Sequence, residues 1–226
     1  MPKISLKGKN LPTSPIRKLS KYATDAKAKG IDVIHLNIGQ PDIDTPAKAL
    51  QAIQSFDKNV LAYGPSEGSL AYRQKMCSYF AKHNIEVQPD DILVTTGASE
   101  AIIMTLDCIT NEGDELIIPE PFYANYDTFA AACGVKVVPV SSTIDSNFSL
   151  PPIDVIEGKI NAKTRAIFIC NPNNPTGYVY SKKELNDLAT LVKKHDLFLI
   201  FDEVYREFIY DGAVHHSVLT ISGLEE

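Results

Sequence analysis

The sequence predicts an α/β fold in three layers, with helices on both faces of a mostly parallel sheet. Three observations carry that prediction. From residue 91 onward, short apolar runs rich in β-formers alternate with amphipathic stretches, the pattern of βαβ units. The run 165–170 halts at Asn171-Pro-Asn-Asn-Pro-Thr-Gly177, as a buried strand entering a tight loop should. Ser181-Lys-Lys-Glu184 then forms a capping box, followed by Leu185, Leu188, Ala189 and Val192 at helical spacing. Lys193, Lys194 and His195 fall in the last turn, where positive charge suits the helix dipole. A second apolar run, 197–201, ends at Asp202. Two strands so connected lie parallel with a right-handed crossover. Asn174 and Asp202 then arrive at carboxyl ends of strands, where open α/β sheets bind ligands.

Taken in order, residues 1–13 read as an irregular arm. Ser14-Pro15 supplies a cap and a proline at the first helical position, with Ile16, Leu19, Ala23 and Ala26 along one face. Gly30 stops that helix, and 31–38 is strand-like and runs into a turn at Gly39-Gln-Pro-Asp42. Thr45-Pro46 opens a second helix by the same device, with Leu50 and Ile53 on its apolar side. Tyr63-Gly-Pro-Ser-Glu-Gly68 is a loop and 69–83 a helix. Strands are expected at 92–95, 115–118, 135–140, 165–170 and 197–202, all in one sheet. Gly97-Ala-Ser99 and Pro119-Glu-Pro121 are turns, 100–109 and 122–132 helices, and 141–151 a polar loop. The helix ahead of 165 is weakly marked. These features divide the chain at residue 45. Residues 1–44 form an arm and part of a small domain, and 45–226 a large domain.

The 226 residues suffice for one large domain and part of another. Hydrophobic residues make up 44% and charged residues 22%, ordinary for a globular protein. A net charge of −6 without a basic block argues against nucleic acid or an anionic membrane as partner. Cys77, Cys108, Cys133 and Cys170 are scattered in apolar contexts with no C-x-x-C pair, which favours a reduced, cytoplasmic setting over disulfides or a zinc site. His215 and His216 are adjacent, without the spacing of metal ligands on one helix face. No apolar stretch reads as a signal peptide or membrane span.

Four features carry chemistry. Thr96-Gly-Ala-Ser99 joins a strand to a helix, where free N–H groups and the helix dipole favour a phosphate. A glycine turn also serves simply to pack strand against helix. It is neither a Walker loop nor a G-x-G-x-x-G fingerprint. In Pro119-Glu-Pro-Phe-Tyr-Ala-Asn-Tyr126, Phe122 and Tyr126 sit four apart and read as core contacts, leaving Tyr123 to stack on a flat ligand. Asn171-Pro-Asn-Asn-Pro-Thr-Gly177 is the most specific element, because proline locks its own φ and restricts its predecessor. Such a turn presents an amide with little freedom. Asp202 ends an apolar strand, where a carboxylate needs a partner. It either caps the next element or faces a cationic ring nitrogen, and Tyr205 can reach the same place.

In this order the features resemble the fold-type I, pyridoxal-phosphate-dependent class I/II aminotransferases, the aspartate and aromatic group, over essentially the whole chain. The segment 36–42 is similar to that family's substrate-carboxylate loop. The segment 62–68 resembles the one whose tyrosine reaches the phosphate of the partner subunit. The resemblance implies that Ala98 and Ser99 hold the cofactor phosphate and that Tyr123 stacks on its ring. Asn174 and Tyr205 would bond its phenolic oxygen, and Asp202 would keep the ring nitrogen protonated, as an adjacent anion favours the charged form. Gly39 and Asn174 would meet the substrate and Tyr63 the neighbouring phosphate, in a homodimer acting on an amino acid and a 2-oxo acid.

The family's Schiff-base lysine lies a short strand beyond D-E-x-Y in an S-x-S-K type segment, and no lysine follows Lys194 here. The distal arginine that clamps the substrate carboxylate has no counterpart either. The chain is therefore expected to be an N-terminal portion, inactive alone. A carbon–sulfur lyase on the same scaffold, or a non-catalytic cofactor-binding module, are the alternatives. The absence of a DNA-binding segment before residue 14 counts against a regulator.

Overall fold

A computed structural model describes residues 2–12, 17–57 and 59–224. The helices are α1 (Leu6–Asn10), α2 (Ser20–Ala28), α3 (Ala47–Gln54), α4 (Leu70–Ala81), α5 (Ala98–Ile109), α6 (Tyr126–Ala132), α7 (Ile153–Glu157) and α8 (Lys182–His195). The strands are β1 (Glu115–Glu120), β2 (Lys136–Ser141), β3 (Thr164–Cys170) and β4 (Phe198–Asp202). They form one sheet in the order β2-β1-β3-β4, and every pairing is parallel.

Side-chain alternation along the strands sorts the core onto two faces. Leu116 and Ile118 of β1, with Ala166, Phe168 and Cys170 of β3, meet Ile102 and Leu106 of α5 and Tyr126 and Ala130 of α6. Ile117, Ile167 and Ile169 point the other way, onto Ile156 of α7 and Leu185, Leu188 and Val192 of α8. The predicted three layers result. Both faces of β1 and β3 are covered, which is why these strands read as unbroken apolar runs.

The capping box at α8 forms as predicted. Ser181 Oγ accepts from the Glu184 N–H at 3.3 Å, and the Glu184 carboxylate accepts from the Ser181 N–H at 2.7 Å. The helix ends at Asp196 in the left-handed region, φ 54°. Leu188 is fully buried between α8 and the sheet. Leu188→Ala is expected to lower the unfolding free energy by about 3–5 kcal/mol, from lost transfer energy plus a cavity. The urea midpoint, at unchanged slope, measures it.

Several expectations need correction. The run 92–95 is not a strand. Ile92 is extended (φ −116°, ψ 117°), but the segment joins no ladder among the described residues, and Val94 N–H instead donates to Glu67 O at 3.0 Å. The run 31–38 likewise has no strand, with Ile34 and Leu36 exposed. An apolar run becomes a strand only where a neighbour supplies the ladder. The helix expected over 122–132 begins at Tyr126, because 124–125 turn first and Tyr126 N–H bonds back to Tyr123 O at 2.9 Å. The turn expected at 119–121 is in part strand. β1 pairs with β3 only as far as Ile117, so Pro119 costs no bond on that side. The arm contains α1, capped by Ser5 Oγ accepting from Gly8 N–H at 2.9 Å. Pro46 occupies the cap of α3 rather than its first turn. Ser14, Pro15 and Ile16 lie outside the described residues.

Candidate functional site

β3 and β4 end side by side, and the residues beyond them close the site. Asn171, wholly buried, is the staple. Its N–H donates to Asp202 O at 2.9 Å and extends the β3–β4 register by one residue. Its Oδ1 accepts from Tyr180 N–H at 2.9 Å, and its Nδ2 donates to His216 O at 3.2 Å. Asn173 holds the turn itself, with Oδ1 accepting from the Thr176 N–H and hydroxyl at 3.2 and 3.0 Å. Asn174 is thereby presented at the rim, where its Nδ2 donates to Tyr205 Oη at 3.3 Å.

Asp202 accepts two hydrogen bonds. Val204 N–H donates to Oδ1 at 3.0 Å, so the carboxylate closes a turn rather than capping a helix. Tyr126 Oη donates to Oδ2 at 2.8 Å. Tyr126 was expected to be a core contact, and so it is, 2% exposed with its ring 4.3 Å from that of Phe168. Its hydroxyl, however, belongs to the site, which the sequence reading missed. The available signal was a tyrosine rather than a phenylalanine at an interior position, since a buried hydroxyl needs a partner. Burial pushes this phenol far above its usual pKa, with Cys170 and Asp202 adding to the shift, so it remains a donor. Burial likewise raises the Cys170 thiol to about 11, with Asp202 adding to the shift. Behind Asp202, burial raises the Glu203 carboxyl, opposed by Ser217 and by Arg206, with which it pairs.

The start of α5 borders the same cavity as Asp202. Gly97 caps it at φ 93°, a conformation that L side chains adopt only with strain. No side chain caps the helix there. The Thr96 N–H is taken by Glu100 Oε2 at 2.5 Å, and that bond holds the exposed Glu100 carboxyl below its usual range. The first-turn amides of α5 and the positive end of its dipole therefore lie where Ala98 and Ser99 line the cavity.

One cavity of about 200 Å³ is lined by Ala98, Ser99, Ile102, Tyr123, Tyr126, Phe129, Cys170, Asn174, Asp202, Val204 and Tyr205. It gathers Ala98, Ser99, Tyr123, Asn174, Asp202 and Tyr205, which come from four separate stretches of sequence. Ile102, Phe129, Cys170 and Val204 were not anticipated. Ile102 and Phe129 are on helices, Cys170 on a strand and Val204 in the turn after β4, and their apolar character gives no sign of lining a cavity. A wider cleft adjoins it, sharing Tyr123, Asn174 and Tyr205 and adding Gly39, Asn37, Arg17, Phe208 and Tyr210. Tyr123 Oη accepts from Asn125 Nδ2 at 2.7 Å. Tyr63 is not brought to either space and is fully exposed. Among the described residues no cluster of His, Cys, Asp and Glu could hold a metal ion, and no helix is long and apolar enough to cross a membrane.

The chain matches the model of aminotransferase class I and II over residues 31–226. It is 35% identical over 216 residues to an aspartate aminotransferase of Bacillus sp. (strain YM-2), covering 95% of this chain and 55% of that one. It is 37% identical over 217 residues to aromatic-amino-acid aminotransferase 2 of Thermococcus litoralis, covering 94% and 54%. The crystal structure of an aspartate aminotransferase from Thermotoga maritima superposes with a TM-score of 0.89 at 31% identity, covering 97% of this chain and 58% of that one. The chain therefore spans about half the length of the curated relatives it matches. With the family model covering residues 31–226 and relatives more than 30% identical over almost all of the chain, this protein belongs to the class I and II aminotransferases.

Proposed function

We propose that this chain forms the pyridoxal-phosphate site of an enzyme that moves an amino group between an amino acid of aspartate or aromatic type and a 2-oxo acid. The observation that carries the reading is the single cavity uniting Ala98, Ser99, Tyr123, Asn174, Asp202 and Tyr205. Among its lining residues, Ala98 and Ser99 open a helix whose amides suit a phosphate, Asp202 brings a carboxylate suited to a cationic ring nitrogen, and Tyr123 adds an aromatic ring. That donor set matches the charge pattern of the cofactor. When bound, pyridoxal phosphate supplies an electron sink for the pair left at the amino acid's α-carbon.

The chain's own residues prepare that chemistry. Ala98 and Ser99 hold the phosphate, and Tyr123 fixes the plane of the ring. Asn174 and Tyr205, already bonded to each other, share the phenolic oxygen. Asp202 keeps a proton on the ring nitrogen, and Tyr126 orients that carboxylate without competing for the proton. Gly39 and Asn174 face the amino acid from the adjoining cleft. Tyr63, free on its loop, serves the phosphate of a second subunit in a homodimer. The lysine that bonds the cofactor covalently is not among residues 1–226. We place the enzyme in the cytoplasm, in keeping with four unpaired cysteines.

The test is the full-length protein from the same gene. It is expected to sediment as a dimer with cofactor bound, and to exchange amino groups with a 2-oxo acid acceptor. Failure to retain cofactor, or retention without any exchange, would sink the reading. A fully active monomer would remove Tyr63 from its role.

A further inference from the structure

Arg73 is the buried residue of α4, only 5% exposed, on a helix whose other positions face solvent or are half-covered. Its guanidinium reaches two separate segments. Nε donates to Gly68 O at 3.2 Å and Nη2 to Glu67 Oε1 at 3.3 Å, at the end of the loop that carries Tyr63. Nη1 donates to Pro89 O at 2.6 Å and Asp90 Oδ1 at 3.2 Å, where the chain enters 92–97. The two segments also touch directly. Val94 N–H donates to Glu67 O at 3.0 Å. Gly68, at φ 96°, lies so close that a Cβ there would stand 2.6 Å from Val94 Cβ and Cγ2. The planar fork of arginine can donate in these directions at once, whereas a lysine offers one ammonium point.

We propose that Arg73 is a positioning residue that makes the Tyr63 loop and the segment entering the α5 turn one rigid piece. This rests on the pyridoxal-phosphate reading above. On that reading Tyr63 approaches the partner's phosphate and the Ala98 and Ser99 amides hold the chain's own. Arg73 therefore fixes the distance between the two phosphate-binding elements of a subunit. Displacement of either element weakens phosphate contacts selectively, because ring contacts come from Tyr123, Asn174, Asp202 and Tyr205 on other segments.

The experiment compares pyridoxal phosphate with pyridoxal, which lacks the phosphate, in reconstitution of the full-length apoenzyme. Wild type, Arg73→Lys and Gly68→Ala are titrated by cofactor absorbance, with thermal unfolding in parallel. Arg73→Lys is expected to weaken pyridoxal phosphate binding by about tenfold or more, the loss of one or two charge-assisted contacts, and to change pyridoxal binding less than about twofold. Gly68→Ala, which forces the loop and Val94 apart while leaving the arginine side chain itself unchanged, is expected to show the same selectivity and carries the test if Arg73→Lys does not fold. Equal weakening of both ligands, or no change in either, would overturn the proposal and leave Arg73 a structural residue. Wild-type protein that does not distinguish the two ligands would instead show that the cofactor reading is wrong, and the proposal would fall with it.

Discussion

Replacing Asp202 by alanine in the full-length enzyme is expected to lower kcat for amino transfer by about 10³-fold, the scale of losing one preorganised electrostatic group in a water-poor site. Cofactor affinity should fall much less, because the phosphate contacts proposed for Ala98 and Ser99 lie on a different element. Two hydrogen bonds make the carboxylate a fixed rather than a mobile charge, one from Val204 N–H and one from Tyr126 Oη. Each oxygen keeps lone-pair capacity for a ring N–H. The alanine variant also strands the buried Tyr126 hydroxyl, a penalty of about 1–3 kcal/mol in stability. Asp202→Asn separates the two effects, since it retains volume and an acceptor oxygen but removes the charge. A rate close to wild type in Asp202→Ala would remove the residue from the role given to it.

The isolated 1–226 chain, mixed with pyridoxal phosphate, is expected to bind it weakly and reversibly and to transfer no amino groups. The residues proposed to contact the cofactor gather in one cavity, but no lysine follows Lys194. Lys183 is committed to an exposed pair with Asp187 at 2.6 Å, and Lys193 to Ser222 O at 2.6 Å. Lys194 pairs with Glu157 at 2.6 Å, on the α7–α8 side of the sheet. Covalent catalysis divides a hard step only when its nucleophile is present. Borohydride treatment followed by peptide mass mapping decides the matter. Specific reduction onto one lysine together with turnover would overturn this expectation.

Local sequence determined much of this protein. The capping box at Ser181, the apolar stripe of α8 and the runs ending at Cys170 and Asp202 specify a parallel βαβ unit. Each of these signals is short-range and agrees with the others. That Asn174 and Asp202 would line one cavity was legible for the same reason, since both lie at or just beyond the end of a strand. The long-range pairing was not legible. The apolar runs 31–38 and 92–95 look like the true strands, yet neither joins a ladder among the described residues. Strand identity requires a neighbour, and apolar composition alone does not name one. Tertiary structure also decided that Tyr126, placed by its i, i+4 relation to Phe122 among core contacts, turns its hydroxyl to Asp202 across 76 residues of sequence. Likewise it decided that Arg73, which nothing in the sequence singles out, is buried and bonded to two separate segments. Patterning along the chain fixes which face of an element is apolar. Only the packed fold determines which polar atoms the burial leaves in need of a partner, and where they find it.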